Sequence, residues 1–154
     1  MSVEAQPVDI AMQFNYFIEI QDLRVAYVRK ANIPKRELAT VQHAHAGQRN
    51  NRKQGGKETV GEITIEYALP LDGFDGYFEQ WYRDGKRQPK SLIERDGIIG
   101  TLDSSETGAR NMTWEFKRAH VKSLEYTEFD GGGEDAFLLT VVLEVEECDL
   151  QGIN

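Results

Sequence analysis

Between Pro34 and Trp81 the chain reads PKRELATVQHAHAGQRNNRKQGGKETVGEITIEYALPLDGFDGYFEQW, and no other stretch restricts the fold as much. Glu62–Leu69 alternates strictly, with Ile63, Ile65, Tyr67 and Leu69 on one side and Glu62, Thr64, Glu66 and Ala68 on the other. A period of two in β-branched and aromatic residues marks a strand with one buried face. Two strand-like runs, Lys35–Ala46 and Glu58–Leu69, flank Gln48–Lys57 (QRNNRKQGGK), which has no apolar residue and reads as a long loop. Phe74, Tyr77, Phe78 and Trp81 then recur at i, i+3, i+4 and i+7, which predicts a helix over Phe74–Asp84 with one aromatic stripe. Asp72 or Asp75 would cap its start, and Gly85 would supply a left-handed stop.

The remaining elements are also strands. Phe14–Ile20 is aromatic and β-branched. Asp22–Lys30 (DLRVAYVRK) reads as a second strand, broken from the next by Pro34, which cannot donate to a ladder. The run from Lys35 would return as its partner, making a hairpin over Asp22–Ala46. Ile98–Leu102 reads as a short strand, Asp103–Gly108 as a polar turn, and Asn111–Ala119 and Val121–Phe129 as two further strands. Asp130–Gly133 is a hairpin loop before a long final strand, Ala136–Glu147, with Phe137, Leu139, Val141, Leu143 and Val145 on one face. Residues 1–13 lack periodicity and read as a flexible or contact arm. These elements predict one mainly β domain over 1–154: two packed antiparallel sheets in a sandwich or partial barrel, flanked by one α-helix.

Charge and motifs narrow the function. The formal net charge is −8, from 26 acidic and 18 basic side chains. That balance argues against a nucleic-acid clamp, which needs clustered cations to displace counterions, and against an anionic membrane surface. The N-terminus has no basic segment followed by a long apolar one, so the chain is expected to be a soluble protein made in the cytoplasm. The lone Cys148 makes no intrachain disulfide. His43 and His45 share a strand face, but a metal site needs a third ligand, and Cys148 and His120 are far off in sequence. Gly55-Gly56-Lys57 fails the phosphate-loop pattern at Asn51 and at Glu58. No nucleophile–base or metal constellation appears, so no enzyme, cofactor or metal is expected. Arg49, Arg52, Lys53 and Lys57 cluster in the loop, where the plain reading is a solvated surface.

The order of these elements resembles the tail tube protein of contractile-tailed bacteriophages. Related proteins are the inner tubes of contractile injection machines and the hemolysin-coregulated protein of type VI secretion. The carriers are the Phe14–Ile20 strand, the turn at Pro34 into KRELATVQHAHAG, the polar loop before Gly55-Gly56, EITIEYAL, the helix ending in Trp81-Tyr82, the Trp114 strand and the acidic last strand. The resemblance implies a structural subunit: six copies form a ring, each giving four strands to one barrel, and rings stack inside a contractile sheath as a conduit for genome delivery. About twenty-four strands at ~4.8 Å, tilted by ~45°, give a circumference near ~160 Å and a bore of about 40 Å once side chains are subtracted. Duplex DNA, about 20 Å across, would pass through that bore and slide past an acidic wall without sequence-specific binding.

The implied partners are further copies of the chain, the tail sheath, the tape measure, and the baseplate and tail terminator proteins. The implied location is the virion tail, after synthesis in the host bacterial cytoplasm. A loop of this length is either disordered or ordered by a partner. The resemblance makes Gly47, Arg49, Asn50, Asn51, Arg52, Lys53, Gln54, Gly55, Gly56 and Lys57 a bridge between subunits or rings. If the longest strands build the inner wall, Asp22–Ala46, Asn111–Ala119 and Ala136–Glu147 are chosen, and Thr113, Glu115, Thr140, Glu144 and Glu146 face the lumen. Two alternatives remain at this point: the inner tube of a type VI-like or other injection system, and a monomeric β-barrel with an apolar cavity for a small ligand.

Overall fold

The computed structural model describes residues 15–43, 52–70, 76–102 and 110–152. Its spine is β8 (Arg110–Tyr126), a strand of 17 residues. The first half of β8 pairs with β7 (Arg95–Leu102) on one side and β10 (Glu147–Leu150) on the other. Its second half pairs with β9 (Leu138–Glu144). The sheet runs in the order β2-β1-β7-β8-β9-β6-β3, antiparallel where the strands pair, and divides at β8 into two halves. The β7 half holds β1 (Tyr16–Ile20) and β2 (Leu23–Arg24); the β9 half holds β6 (Glu62–Ala68) and β3 (Val28–Lys30). The architecture is the expected one, mainly β with two packed antiparallel layers, and the sheet does not close on itself.

The division has a local cause. Arg118 sits at φ 56° and the register with β9 shifts between Val121 and Ser123, so β8 bends there. The expected pair Asn111–Ala119 and Val121–Phe129 is therefore one bent strand. Its neighbour must follow the bend: Ala136–Glu147 is not one strand but β9 and β10, parted at Val145 and Glu146.

The apolar faces of both halves meet in one core. Ile18, Ile20, Ile99, Phe116 and Cys148 come from the β7 half, and Ile63, Ile65, Tyr67, Leu139, Val141 and Leu143 from the β9 half. Each such side chain contributes roughly 1.5–3 kcal/mol by leaving water. The helix α1 (Tyr77–Arg87) adds Phe78 and Trp81. The Trp81 indole donates to the Ile93 carbonyl at 2.7 Å, tying α1 to the short α2 (Lys90–Ile93). Arg95 lies over the Tyr77 and Trp81 rings at 4.9 and 4.8 Å. The expected end of the helix is corrected. It runs through Gly85 to Arg87 and stops where Gln88, preceding Pro89, turns extended. Its start is Gly76 at φ 68°, with no side-chain cap; Asp72, Phe74 and Asp75 lie outside the described residues.

Asp22–Lys30 is not one strand. Gln21 and Asp22 (φ 51° and 67°) turn β2 back onto β1, Tyr27 (φ 60°) breaks the run, and β3 pairs with β6 at the other end of the sheet. The Asn32 side chain prolongs that edge, accepting from the Thr64 N–H at 2.6 Å and donating to the Glu62 carbonyl at 2.9 Å. The expected hairpin Asp22–Ala46 is also corrected. β4 (Arg36–His43) pairs with β5 (Arg52–Val60) in a separate two-stranded sheet. Glu58–Leu69 is thus two strands parted at Gly61, whose N–H donates to the Lys35 carbonyl at 2.7 Å. Six residues of the expected loop, 52–57, belong to β5.

Candidate assembly surfaces

Three surfaces remain once the core is filled. The first is the outer face of the β9 half. Register places Glu62, Glu144 and His120 in one row, Thr64, Val142 and Ser123 in the next, and Glu66, Thr140 and Glu125 in the third. The face is polar with four carboxylates. Lys122 pairs with Glu62, which raises the lysine pKa through that hydrogen bond, and His120 Nε2 lies 3.3 Å from Glu144. This half has four strands, and both its edges lack a strand partner among the described residues: β3 at one side, β8 beyond Ala119 at the other. Unpaired edges are ready templates for another chain.

The second surface is the outer face of the β7 half, which is more closed. Phe17 and Glu19 are buried there although they point away from the core. Arg24 and Arg110 cover the Phe17 ring at 5.1 and 4.9 Å and reach the Glu19 carboxylate at 3.5 and 2.5 Å. Gly97 and Gly100 make this closeness possible. A Cβ at Gly97 would collide with the Glu19 carbonyl and the Phe116 ring, and one at Gly100 with the Met112 carbonyl.

The third surface is the β4–β5 arm. Residues 36–40 are exposed, as are Gly55 and residues 57–59, and Leu38 is 64% exposed. Arg36 anchors its base by donating to the Cys148 carbonyl at 3.1 Å.

The five residues expected at the lumen fall in three places. Thr140 and Glu144 lie on the outer face of the β9 half. Thr113 and Glu115 lie on the β7 half, opposite Gly100 and Ile98, where Glu115 accepts from the Gln151 amide at 2.9 Å. Glu146 lies in the break before β10, paired with Lys90 at 3.0 Å and Arg118 at 3.1 Å. Its pKa is lowered, first by the Lys90 hydrogen bond. Sequence reading passed over Glu62, Glu66 and Glu125, although the polar side of EITIEYAL was already visible; their grouping needed the strand register. Of the loop residues, Arg52, Lys53, Gln54, Gly55, Gly56 and Lys57 are on β5. Gly47, Arg49, Asn50 and Asn51 lie outside the described residues, as does His45, so the pair His43-x-His45 is not seen together.

Comparison with known proteins agrees with this architecture. The family model described as T4-like virus tail tube protein gp19 matches residues 12–149. No curated protein matches the sequence. Among solved structures, the cap of the anti-feeding prophage, a tube-terminating cap, aligns with TM-score 0.81 at 15% identity over 97% of this chain and 95% of that one. The sheath–tube complex of an extracellular contractile injection system in its extended state aligns with TM-score 0.74 at 17% identity over 96% and 93%. The SPP1 tail tube aligns with TM-score 0.60 at 15% identity over 94% and 80%. The matched family and these neighbours are structural tube components, not enzymes. No helix among the described residues is long and apolar enough to cross a membrane.

Proposed function

The chain belongs to the T4-like virus tail tube protein family, and from that membership we propose that it forms six-membered rings that stack into a conduit for DNA inside a contractile sheath. The observation that carries the ring is the four-stranded β9 half, whose two edges have no strand partner among the described residues. Edge β3 of one copy meets the β8 edge of the next. Such a contact joins two different patches, and a heterologous contact repeats into a closed ring when its rotation permits. The barrel so formed has the outer face of the β9 half as its inner wall.

On this reading Thr140 and Glu144 line the bore together with Glu62, Glu66 and Glu125. Thr113 and Glu115 stay outside it, and Glu146 sits at the rim. The acidic wall repels phosphates, and the repulsion reaches about one Debye length, ~8 Å, into the channel. The β4–β5 arm, with Arg52, Lys53 and Lys57 on β5 and Arg49 shortly before it in sequence, reaches a neighbouring ring. The sheath and baseplate are the outer partners, as the sheath–tube neighbour supports. The tape measure and terminator proteins complete the set, and the virion tail is the location, after synthesis in the host cytoplasm. A hollow single-chain barrel has no support: Ile65, Leu143, Phe116 and Trp81 fill the centre where a ligand would lie.

The test is electron microscopy of the purified protein and of tail particles. Six-fold rings or tubes are expected. Monomers at every concentration and salt, with no copy in tail particles, would overturn the reading.

A further inference from the structure

The β8–β9 turn presents an aromatic that its own chain leaves in water. Phe129 is 92% exposed, yet it is not loose. Its ring stacks on Phe137 at 5.0 Å and 11°, and Phe137 stacks on Tyr126 at 5.9 Å and 17°. The Tyr126 hydroxyl donates to Glu79 of α1 at 2.5 Å, which roots the stack in the body. The turn beyond is set by Asp130, whose carboxylate accepts from Gly132 and whose carbonyl accepts from Gly133, both at 3.0 Å. Glu128, Asp130, Glu134 and Asp135 belong to the same exposed turn, and none joins an ion pair with a described residue. A single exposed hydrophobe needs no explanation. A stacked and anchored ring in an acidic turn is an ordered knob, so little entropy is left to lose on docking.

A trough of about 910 Å³ lies on the β3 side, in the seam between the two halves. Val28, Ile33, Ile99 and Trp114 give it apolar walls, and Arg29 and Lys30 stand on its lip. Neither cation has an ion-pair partner among the described residues, and Glu66 opposite Lys30 is the acid that lines the same trough. Knob and trough therefore match in shape class and in sign of charge. They do not meet within one chain, because Phe129 remains in solvent.

We infer that the Phe129 turn of one copy seats in the Val28–Trp114 trough of a second copy, with Glu128 and Asp135 against Arg29 and Lys30. The contact joins two different patches of the same chain, so it repeats from copy to copy, as an assembly of many copies requires. This rests on the tube reading and adds to it a named contact.

The experiment uses the full chain under tube-forming conditions, with wild type alongside. The pair Gly131→Cys, which keeps Phe129 and has open space for a side chain, and Ile33→Cys, treated with a short bis-maleimide, is expected to give a ladder of linked subunits on a denaturing gel. Either single variant gives none, since Cys148 is fully buried. Arg29→Glu with Lys30→Glu is expected to raise the protein concentration needed for assembly about tenfold or more, as is Phe129→Ser, which forfeits the burial of one aromatic. Adding Glu128→Lys and Asp135→Lys to the first pair is expected to restore assembly. The monomer fold is checked by its melting temperature, which these exposed sites leave unchanged. If wild type builds tubes while the cysteine pair gives no ladder and Phe129→Ser assembles at the wild-type concentration, this contact is wrong and the tube reading stands. If wild type builds none, both fall.

Discussion

The body of the molecule and its β4–β5 arm are built by opposite means. The body has a core in which Ile18, Ile20, Ile63, Ile65, Phe116, Leu139, Val141 and Leu143 have no exposed surface. Among arm residues whose burial is described, none is buried. A two-stranded hairpin alone is marginal in water. The arm persists through its ladder, the Gly61–Lys35 hydrogen bond and the Arg36 anchor on Cys148. One region thus carries the stability of the monomer, while the other projects a long backbone surface that only a neighbour can bury. A subunit that must fold alone and then assemble needs that separation.

The largest test of the contrast is made in the body. Trp81→Ala removes a side chain that is 1% exposed together with its bond to Ile93, and should destabilise the monomer by about 3–5 kcal/mol in urea unfolding. Gly97→Val should act similarly, because the Glu19 carbonyl against it is backbone and cannot turn aside. A loss below about 1 kcal/mol for either would show that the core is not where the stability resides.

The next test is made in the arm. Reversing Arg49, Arg52 and Lys53 to Glu should change monomer stability by no more than about 0.5 kcal/mol. The same variant should stop tube growth, read by sedimentation and negative stain. Tubes of normal length from it would remove the arm from the assembly. Charge in the bore should act more weakly. Glu62→Lys with Glu144→Lys should permit assembly and slow DNA release, and ~1 M salt, where screening acts within about 3 Å, should relieve the defect. Slow release that ignores salt would place these residues elsewhere.

The sequence was legible wherever one strand face met the core. EITIEYAL and the odd positions from Leu139 to Val145 carry the period of two, and Ile63, Ile65, Tyr67, Leu139, Val141 and Leu143 are buried as the alternation requires. Legibility failed in the arm because β5 meets the core at Val60, while Arg52–Thr59 (RKQGGKET) has no apolar residue and so no hydrophobic period to show. It failed again at the bends. Arg118, Tyr27 and Gln21 adopt left-handed backbone without being glycine, and no composition rule flags such positions. The five residues expected at the lumen were chosen on strand length, whereas a shared face depends on register, and the bend in β8 puts Thr113 and Thr140 on different halves of the sheet.

The smallest predicted effect concerns the ion pairs where β9 breaks into β10. Lys90 and Glu146 meet at 3.0 Å on the exposed surface, with Arg118 also on Glu146. The carboxyl pKa is lowered and the ammonium pKa raised, in each case first by their mutual hydrogen bond. A lowered acid contributes stability above its unfolded value and loses it as pH falls through its folded value. A raised base contributes below its unfolded value and loses it as pH rises through its folded value. The pair should therefore help across the range between ordinary carboxylate and ordinary lysine titration, and fade at either end. Exposure keeps the effect slight. The melting temperature of Glu146→Gln should fall a little below wild type at neutral pH, and the gap should close in acid and in ~1 M salt. The same substitution should leave tube formation intact, because this pair fastens α2 to the body and touches neither the arm nor the β9 face. A gap that stays constant from neutral to acid pH would mean that Glu146 acts through packing, and a loss of tubes would move the bend onto an assembly surface.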